Sequence, residues 1–181
     1  MKQELFPAHL RGNIQSEVSL ARRTTLGVGG KGLYYCEPSD EAQLEDLLVF
    51  LQNAGVACKV LGAGSNVVIP DKGYEGCVIR LGRDFRYAKE LQPGMIEVGA
   101  SMPLMTLART MANAGYSGLE FAGGIPASLG GAICMNAGAH GGEMSSLVEM
   151  VHVVSPDGSA WLAKRSWTSP TAILSCRKGE W

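Results

Sequence analysis

Apolar residues in the first half of the chain change from strand spacing to helix spacing and back. Four leucines recur at i, i+3, i+4 and i+7, which predicts the buried face of a helix: Leu44, Leu47, Leu48 and Leu51. Ser39 or Asp40 is placed to cap this helix, and Gly55 is placed to end it. Residues 33–36 and 56–61 read as strands on either side, the second of them buried. The pattern therefore predicts a β-α-β unit with parallel strands.

A short glycine segment follows the second of these strands. It reads Gly62-Ala63-Gly64-Ser65-Asn66. Glycines at a strand end let the backbone come close to another group, while Ser65 and Asn66 add hydrogen-bonding side chains. The loop is not a Walker motif, because no Gly-Lys-Ser/Thr closes it. Residues 67–69 and 77–81 are predicted to be further strands.

The second half of the chain is richer in strand patterns. Residues 95–100 alternate as a strand, and residues 148–154 and 160–162 are predicted to form a hairpin. A helix with a buried face is predicted between them, starting from a Ser101 cap and stopped by Gly115; its apolar positions are Leu104, Leu107, Ala108 and Met111. We therefore expect four regions: an N-terminal arm at 1–23, a β-α-β lobe at 24–81, a β-rich lobe at 82–164 and a tail at 165–181.

The stretch from Gly118 to Glu143 is dense in glycine, but apolar residues interrupt it throughout. That composition is unlike a flexible linker, which is polar along its whole length. Successive backbone N–H groups can form a concave nest for a phosphate or another anion. Ser128 is predicted to cap a short helix through Gly130 to Cys134, whose dipole would add to the attraction. A tight backbone crossing inside a core is the alternative for these glycines.

Composition narrows the class of protein. The 181 residues are 46% hydrophobic and 18% charged, with a net charge of −1, so a soluble globular protein without general affinity for nucleic acid or anionic membranes is expected. We find no membrane-spanning run and no signal peptide. Five widely spaced cysteines without a C-x-x-C pair favour reduced thiols and a cytoplasmic location. Two glycines separate His140 from Glu143, which disfavours a metal site there, and no metal is expected.

Three strings, in this order and spacing, resemble the UDP-N-acetylenolpyruvoylglucosamine reductases of muramic acid synthesis. They are Thr25-Leu26-Gly27-Val28-Gly29-Gly30, then Leu61-Gly62-Ala63-Gly64-Ser65-Asn66-Val67-Val68, then Gly118-Leu119-Glu120-Phe121 continuing to Ala139. The resemblance covers residues 22–157. It implies an α+β fold, namely a two-lobed FAD-binding domain of the vanillyl-alcohol-oxidase-like type, with the β-α-β lobe as the smaller part.

The same resemblance implies a cofactor site and a reaction. It places FAD, with its pyrophosphate against backbone N–H groups, at Gly62, Ala63, Gly64, Ser65, Asn66, Gly123, Gly124, Ile125, Pro126, Ser128, Gly130, Gly131 and Asn136. The implied reaction takes hydride from NADPH to the flavin and then to the enolpyruvyl group of a UDP-sugar, in peptidoglycan precursor synthesis. The flavin carries the redox chemistry, and the protein positions it. No residue of this sequence is assigned as catalytic.

Departures from the family pattern limit that expectation. Ala127 stands where the family usually has glycine, which is tolerable only at a negative φ. Ser169-Pro170 stands at the position of a family Tyr-Arg pair, and the sequence ends at Trp181 without the family's later substrate domain. We therefore expect a truncated chain that lacks full activity and meets a UDP-sugar only if a substrate domain is supplied. The alternative is a non-catalytic FAD- or nucleotide-binding module. Oligomeric state stays open.

Overall fold

The computed structural model describes residues 3–163, 171–175 and 177–178. The chain folds as two compact units, each with its own core. The first unit comprises Met1–Arg83 with Ser155–Gly158, and the second comprises Asp84–Val154 with Ser159–Trp181. The departure noted at Ser169 and Pro170 lies outside the described residues.

The first unit is built on a four-stranded sheet with the order β1-β2-β4-β3. Its strands are β1 (Ile14–Ser19), β2 (Lys31–Cys36), β3 (Cys58–Val60) and β4 (Tyr74–Ile79). β1 pairs with β2 antiparallel, so the segment expected to be an arm supplies an edge strand. β2 and β3 are both parallel to β4, which lies between them. The predicted parallel direction of β2 and β3 is confirmed, although the two strands do not pair with each other.

Helix α1 (Glu41–Asn53) covers one face of this sheet. The Asp40 carboxylate caps it by accepting a hydrogen bond of 2.8 Å from the Gln43 N–H, and Gly55 follows its end at φ +64°. The Phe6 ring contacts the rings of Tyr34 in β2 and Phe50 in α1, with centroids 4.9 and 4.8 Å away. The helix predicted from leucine spacing is therefore confirmed. The opposite face of the sheet carries a second cluster, formed by Leu20, Tyr35, Leu61 and Val78.

One strand prediction in this unit is confirmed only in part, and another is wrong. Only Cys58–Val60 of residues 56–61 forms a strand, and Val60 is exposed because β3 is the outer strand of the sheet. Residues 67–69 form no strand, and Val67 and Val68 face solvent. The backbone after the glycine loop is held instead by the loop before β2, through a hydrogen bond of 2.9 Å from the Gly30 N–H to the Pro70 carbonyl. Apolar sequence alone did not distinguish this loop from a sheet strand.

The second unit centres on a five-stranded sheet with the order β11-β10-β12-β6-β5. Its strands are β5 (Ala88–Gln92), β6 (Met95–Val98), β10 (Val148–Ser155), β11 (Gly158–Ala163) and β12 (Thr171–Ser175). Two short ladders accompany it: β7 (Tyr116–Ser117) with β13 (Arg177–Lys178), and β8 (Gly138–Ala139) with β9 (Gly142–Glu143). β12 pairs antiparallel with both β10 and β6. The region expected to be a tail thus supplies the middle strand, and the predicted β10–β11 hairpin is confirmed.

Two helices pack against this sheet, α2 (Leu104–Asn113) and α3 (Leu129–Cys134). The predicted buried face of α2 is confirmed: Leu104, Leu107, Ala108 and Met111 join the core. The predicted Ser101 cap is wrong, because the helix starts after Pro103 without a side-chain cap. The Leu104 N–H instead donates to the Ala127 carbonyl at 2.8 Å, so the glycine-rich stretch itself satisfies this helix end.

Buried thiols lie in the sheet of the first unit. Among the described residues Cys36, Cys58, Cys77 and Cys134 are free thiols. Cys36 in β2 and Cys77 in β4 are buried. Burial, together with the Glu37 carboxylate, raises the pKa of the Cys36 thiol from 9.0 to about 12. Burial raises the pKa of the Cys77 thiol as well.

These thiols predict a loss of stability at alkaline pH. The unfolded chain releases the Cys36 proton at a lower pH than the folded chain. The contribution of this thiol to the unfolding free energy is therefore complete below pH 9.0 and is lost as the pH rises towards about 12. Each such thiol makes the unfolding free energy fall by up to about 1.4 kcal/mol more per pH unit. We expect Cys36→Ala to flatten the pH dependence of the unfolding free energy, measured in urea at several pH values between about 8 and 11. Val78→Ala also truncates a buried side chain but keeps the thiol, so it should retain the steeper slope; equal slopes would contradict the prediction.

Candidate functional site

The glycine loop of the first unit presents a row of unpartnered backbone donors. Within the described part of the chain, the N–H groups of residues 62–66 donate no hydrogen bond to the protein. The side chains of Ser65 and Asn66 are likewise without a hydrogen bond among these residues, and Asn66 is exposed. Consecutive N–H groups of this kind suit an anion, because their dipoles add without a side-chain charge. The sequence predicted such a nest in the Gly118–Glu143 stretch, whereas at residues 62–66 the diphosphate contact was implied by the resemblance alone; this loop has the donors that a nest needs.

A second loop holds this nest in place. Both the N–H and the hydroxyl of Thr25 donate to the Gly64 carbonyl, at 3.0 and 3.3 Å. Gly64 has φ +74°, and a Cβ at that position would collide with the Arg23 carbonyl. Gly64 therefore fits both interpretations of these glycines: it permits a tight backbone crossing, and it also belongs to the loop with the unpartnered donors. Sequence reasoning did not assign Thr25 to the site, although a threonine beside a glycine turn is a common hydrogen-bonding signal.

Arg23, whose carbonyl lies at this crossing, has its side chain engaged within the protein. The Arg23 guanidinium lies 4.5 Å from the centre of the Tyr35 ring, and its nitrogen is 3.9 Å from a Glu37 carboxylate oxygen. The Tyr35 hydroxyl donates to the same carboxylate at 2.5 Å. Burial and this hydrogen bond raise the pKa of Tyr35 to about 12. The Arg23 guanidinium is therefore held by the Tyr35 ring and the Glu37 carboxylate.

The glycine-rich stretch of the second unit presents an open backbone at Gly123 and Gly124. Both glycines are exposed and end a short 3-10 helix, Glu120–Gly124. A Cβ built on either would meet no described atom within 4 Å. The Glu120 carboxylate accepts from the Gly118 N–H at 2.8 and 3.0 Å, so it acts as a turn acid. The backbone at these two glycines can therefore be approached closely from outside.

Helix α3 uses its own first-turn donors inside the protein. The Ser128 hydroxyl accepts from the Gly131 N–H at 3.4 Å, which confirms the predicted cap. The N–H groups of Leu129 and Gly130 donate to the Met102 and Ala100 carbonyls at 2.8 and 2.9 Å. Ser128 and Gly130 are buried, and Ile125 and Gly131 are half-buried. These hydrogen bonds fix the start of α3 within the second unit. They leave fewer unpartnered N–H groups here than at residues 62–66.

Pro126 and Ala127 join the open glycines to this helix. Pro126 is exposed, and the Ala127 N–H donates across it to the Ile125 carbonyl at 2.9 Å. Ala127 is absent from the residues with positive φ, so its methyl group is accommodated as the sequence required. The substitution of glycine by alanine is therefore compatible with this backbone.

Asn136 organises the hairpin that follows. Its φ is +45°, its amide nitrogen donates to the Glu143 carboxylate at 3.1 Å, and its amide oxygen accepts from the Ser145 N–H at 2.8 Å. His140 and Gly141 both have positive φ and form the tight turn between β8 and β9. No group of metal-binding side chains occurs among the described residues. In the structure His140 lies in the hairpin turn, and the Glu143 carboxylate accepts the hydrogen bond from the Asn136 amide.

A cavity of about 510 Å³ lies within the second unit, along α2. Its walls include Met105, Thr106 and Arg109 from the helix and Glu120 and Gly123 from the glycine-rich stretch. The volume is in the range of small-molecule pockets. The cavity thus reaches one of the residues that the resemblance places at the cofactor.

No helix in the described part of the chain is long and apolar enough to cross a membrane.

Comparisons with known proteins agree with this geometry. The family described as "FAD binding domain" matches residues 33–163, well over half of the chain. A curated UDP-N-acetylenolpyruvoylglucosamine reductase of Synechococcus sp. is 45% identical over 150 residues, which are 83% of this chain and 48% of that protein. The chain spans about half the length of the curated relatives it matches.

Solved structures show the same fold. The UDP-N-acetylenolpyruvylglucosamine reductase of Thermus caldophilus matches with a TM-score of 0.71 and 32% identity, over 91% of this chain and 61% of that one. An alkyldihydroxyacetonephosphate synthase matches with a TM-score of 0.70 at 15% identity, over 98% and 40% of the two chains, and supports the fold alone. The α+β architecture is that of vanillyl-alcohol-oxidase-like FAD-binding domains. The chain belongs to the FAD binding domain family, in which it corresponds to the FAD-binding portion of UDP-N-acetylenolpyruvoylglucosamine reductases.

Proposed function

We propose that this chain binds FAD noncovalently, with the diphosphate at the N–H groups of residues 62–66. The row of unpartnered donors in that loop is the observation that carries the proposal. In the second unit, taken by itself, Gly123 and Gly124 are proposed cofactor contacts, because their exposed backbone leaves room for a cofactor to approach. The proposal for that unit also includes Ile125, Pro126, Ser128, Gly130, Gly131 and Asn136. Of these, Ser128 and Asn136 act by shaping the backbone, since their side chains already bond within the protein.

We further propose that the chain serves a UDP-N-acetylenolpyruvoylglucosamine reductase, with NADPH as the hydride donor and a UDP-sugar as the substrate. Bound FAD supplies the redox chemistry, as a carrier of hydride between these two reactants. The protein's part is to hold the diphosphate on the backbone of one loop and to position the ring by packing. Relatives of this name, which extend to about twice the length of this chain, support the assignment.

The visible spectrum of the purified chain tests FAD binding. We expect flavin absorption bands on the protein, or their appearance and fluorescence quenching when the apo chain is titrated with FAD. Acid precipitation should release the yellow colour into the supernatant, because the attachment is noncovalent. Colour that stays with the precipitate would contradict noncovalent binding. A chain that shows no flavin signal after titration would contradict the proposal as a whole.

The half-reaction with NADPH is tested separately under anaerobic conditions. We expect NADPH to bleach the flavin bound to the chain faster than it bleaches free FAD at the same concentration. NADH at the same concentration is the matched comparison for the nicotinamide preference. Bleaching no faster than that of free FAD would contradict the proposed use of NADPH by this chain, while leaving FAD binding itself intact.

A further inference from the structure

One stripe of helix α2 forms a wall of the cavity in the second unit. Residues at i, i+3, i+4 and i+7 lie on the same side of a helix, and the stripe consists of Met105, Ala108, Arg109 and Ala112. The buried Leu119 lines the same cavity from the segment that follows the helix. All of these side chains except Arg109 are apolar, so this part of the wall favours an apolar group over water.

Two side chains of opposite charge line this cavity, the guanidinium of Arg109 and the carboxylate of Glu120. Within the part of the chain that the structure describes, no ion pair joins them, and the Arg109 guanidinium makes no hydrogen bond. The Glu120 carboxylate accepts from the Gly118 N–H, at 2.8 and 3.0 Å. A carboxylate has about four acceptor sites, so it can accept from a ligand as well. The wall therefore offers a cationic donor and an anionic acceptor that do not neutralise each other.

The pair of charges restricts the kind of ligand that fits. The hydroxyl of Tyr116, another wall residue, already donates to the Glu90 carboxylate, so it adds no further charge-binding group. A purely anionic ligand at Arg109 would meet the like charge of Glu120, and a purely cationic ligand at Glu120 would meet that of Arg109. Like charges placed together oppose binding. The cavity therefore suits a molecule that carries one group of each charge and an apolar body.

We propose that the cavity along α2 binds a zwitterionic α-amino acid with an apolar side chain. The Arg109 guanidinium binds the carboxylate, because its paired N–H donors match the two carboxylate oxygens. The Glu120 carboxylate binds the ammonium group, and the apolar stripe of α2 packs against the side chain. An aromatic side chain is favoured, since the thioether of Met105 makes favourable contacts with aromatic rings. This site goes beyond the proposed function and does not depend on FAD binding.

Isothermal titration calorimetry of the purified chain tests the inference with three probes: L-phenylalanine, phenethylamine and 3-phenylpropionate. The last two keep the aromatic ring but lack the carboxylate and the ammonium group, respectively. We expect L-phenylalanine to bind about fivefold or more tightly than either analogue, because each analogue lacks one charged hydrogen-bonding group. If L-phenylalanine did not bind, or bound no more tightly than the analogues, the inference would be overturned.

Arg109→Gln and Arg86→Gln form a matched pair of variants. Each removes one exposed arginine of the second unit, but Arg86 is not among the residues that line the cavity. We expect Arg109→Gln to weaken L-phenylalanine and 3-phenylpropionate by about fivefold or more, because both probes carry the carboxylate. Phenethylamine should bind Arg109→Gln no more weakly than the wild type, and Arg86→Gln should leave all three affinities unchanged. Equal affinities of the two variants for L-phenylalanine would contradict the proposal.

Glu120→Gln and Glu149→Gln test the ammonium contact in the same way, since Glu149 is an exposed glutamate on β10. Glu120→Gln should weaken L-phenylalanine and phenethylamine but not 3-phenylpropionate, and Glu149→Gln should change none of them. Glutamine can still accept from the Gly118 N–H, so we expect the unfolding temperatures of the two variants to agree. If both variants bound phenethylamine equally well, Glu120 would not hold the ammonium group, and the assignment of a zwitterion would be wrong.

Titration in the presence of saturating FAD separates this site from the cofactor site. Gly123 is the one residue that the cavity wall shares with the proposed cofactor contacts. We expect the affinity for L-phenylalanine to be the same with and without FAD. If FAD abolished L-phenylalanine binding, the cavity would belong to the cofactor site, and the inference would fail while the proposed function stands. If the chain bound no FAD, the proposed function would fail, and the titrations without FAD would still decide this inference.

Discussion

Valine in place of Gly124 is expected to weaken FAD binding by about ten- to a hundredfold without unfolding the chain. The glycine is exposed, and a side chain there would meet no described atom within 4 Å, so the fold itself has room for it. A cofactor lying against this backbone has no such room. Forcing methyl groups into a packed contact costs about 1–3 kcal/mol, and each 1.4 kcal/mol is a factor of ten in the dissociation constant.

Gly12 provides the matched control. It also lies in a 3-10 helix, Arg11–Asn13, and a Cβ there meets nothing within 4 Å of the described structure. Gly12→Val therefore carries the same change in residue type and backbone freedom, away from the proposed site. Gly158 is less suitable, because its φ of +113° would strain any side chain. FAD titration of both variants checks the prediction, and equal affinity of the two would argue against cofactor contact at Gly124.

Replacing Gly73 with alanine is expected to destabilise the first unit by several kcal/mol, more than any surface substitution. Gly73 immediately precedes β4 and has φ +81°, and a Cβ there would collide with the backbone carbonyl of Lys31 in β2. Backbone cannot rotate away as a flexible side chain can, so the two strands would have to separate. Strain at a positive φ adds about 1 kcal/mol or more to that collision.

Gly55 separates these two contributions. It has a similar φ of +64° at the end of α1, but a Cβ there meets nothing within 4 Å of the described residues. Gly55→Ala should therefore show only the strain, about 1 kcal/mol. Urea unfolding of the two variants gives the difference directly. If both lost the same free energy, collision with Lys31 would play no part, and the close approach of the two strands would not be the reason for glycine at residue 73.

Local rules accounted for much of the fold. Helix α1 followed from leucine spacing, the Asp40 cap and the Gly55 stop, all of which act within a few residues of chain. The Ser128 cap and the β10–β11 hairpin were predicted for the same reason. The Ser101 cap failed because a distant carbonyl, that of Ala127, had already satisfied the start of α2.

Long-range pairing decided the rest. The same apolar content at residues 33–36 and 67–69 gave a sheet strand in one case and an exposed loop in the other. The difference lies in the partner: β2 has strands on both sides, whereas residues 67–69 run beside the loop before β2. A strand needs a neighbour to take its hydrogen bonds, and periodicity does not say whether one is present.

The amino-acid sequence by itself determined which stretches could approach a ligand closely, because glycine's missing Cβ is a property of the residue. It also determined the family, through the strings at residues 61–68 and 118–139. Only the tertiary structure decided what each glycine does: Gly64 and Gly73 allow backbones to cross, while Gly123 and Gly124 stay open. Likewise, only the folded chain shows that the N–H groups of residues 62–66 donate to no described residue, whereas the first N–H groups of α3 donate to carbonyls of the protein. Whether an N–H group is free depends on which carbonyls the fold brings to it, and those carbonyls belong to residues far away along the chain.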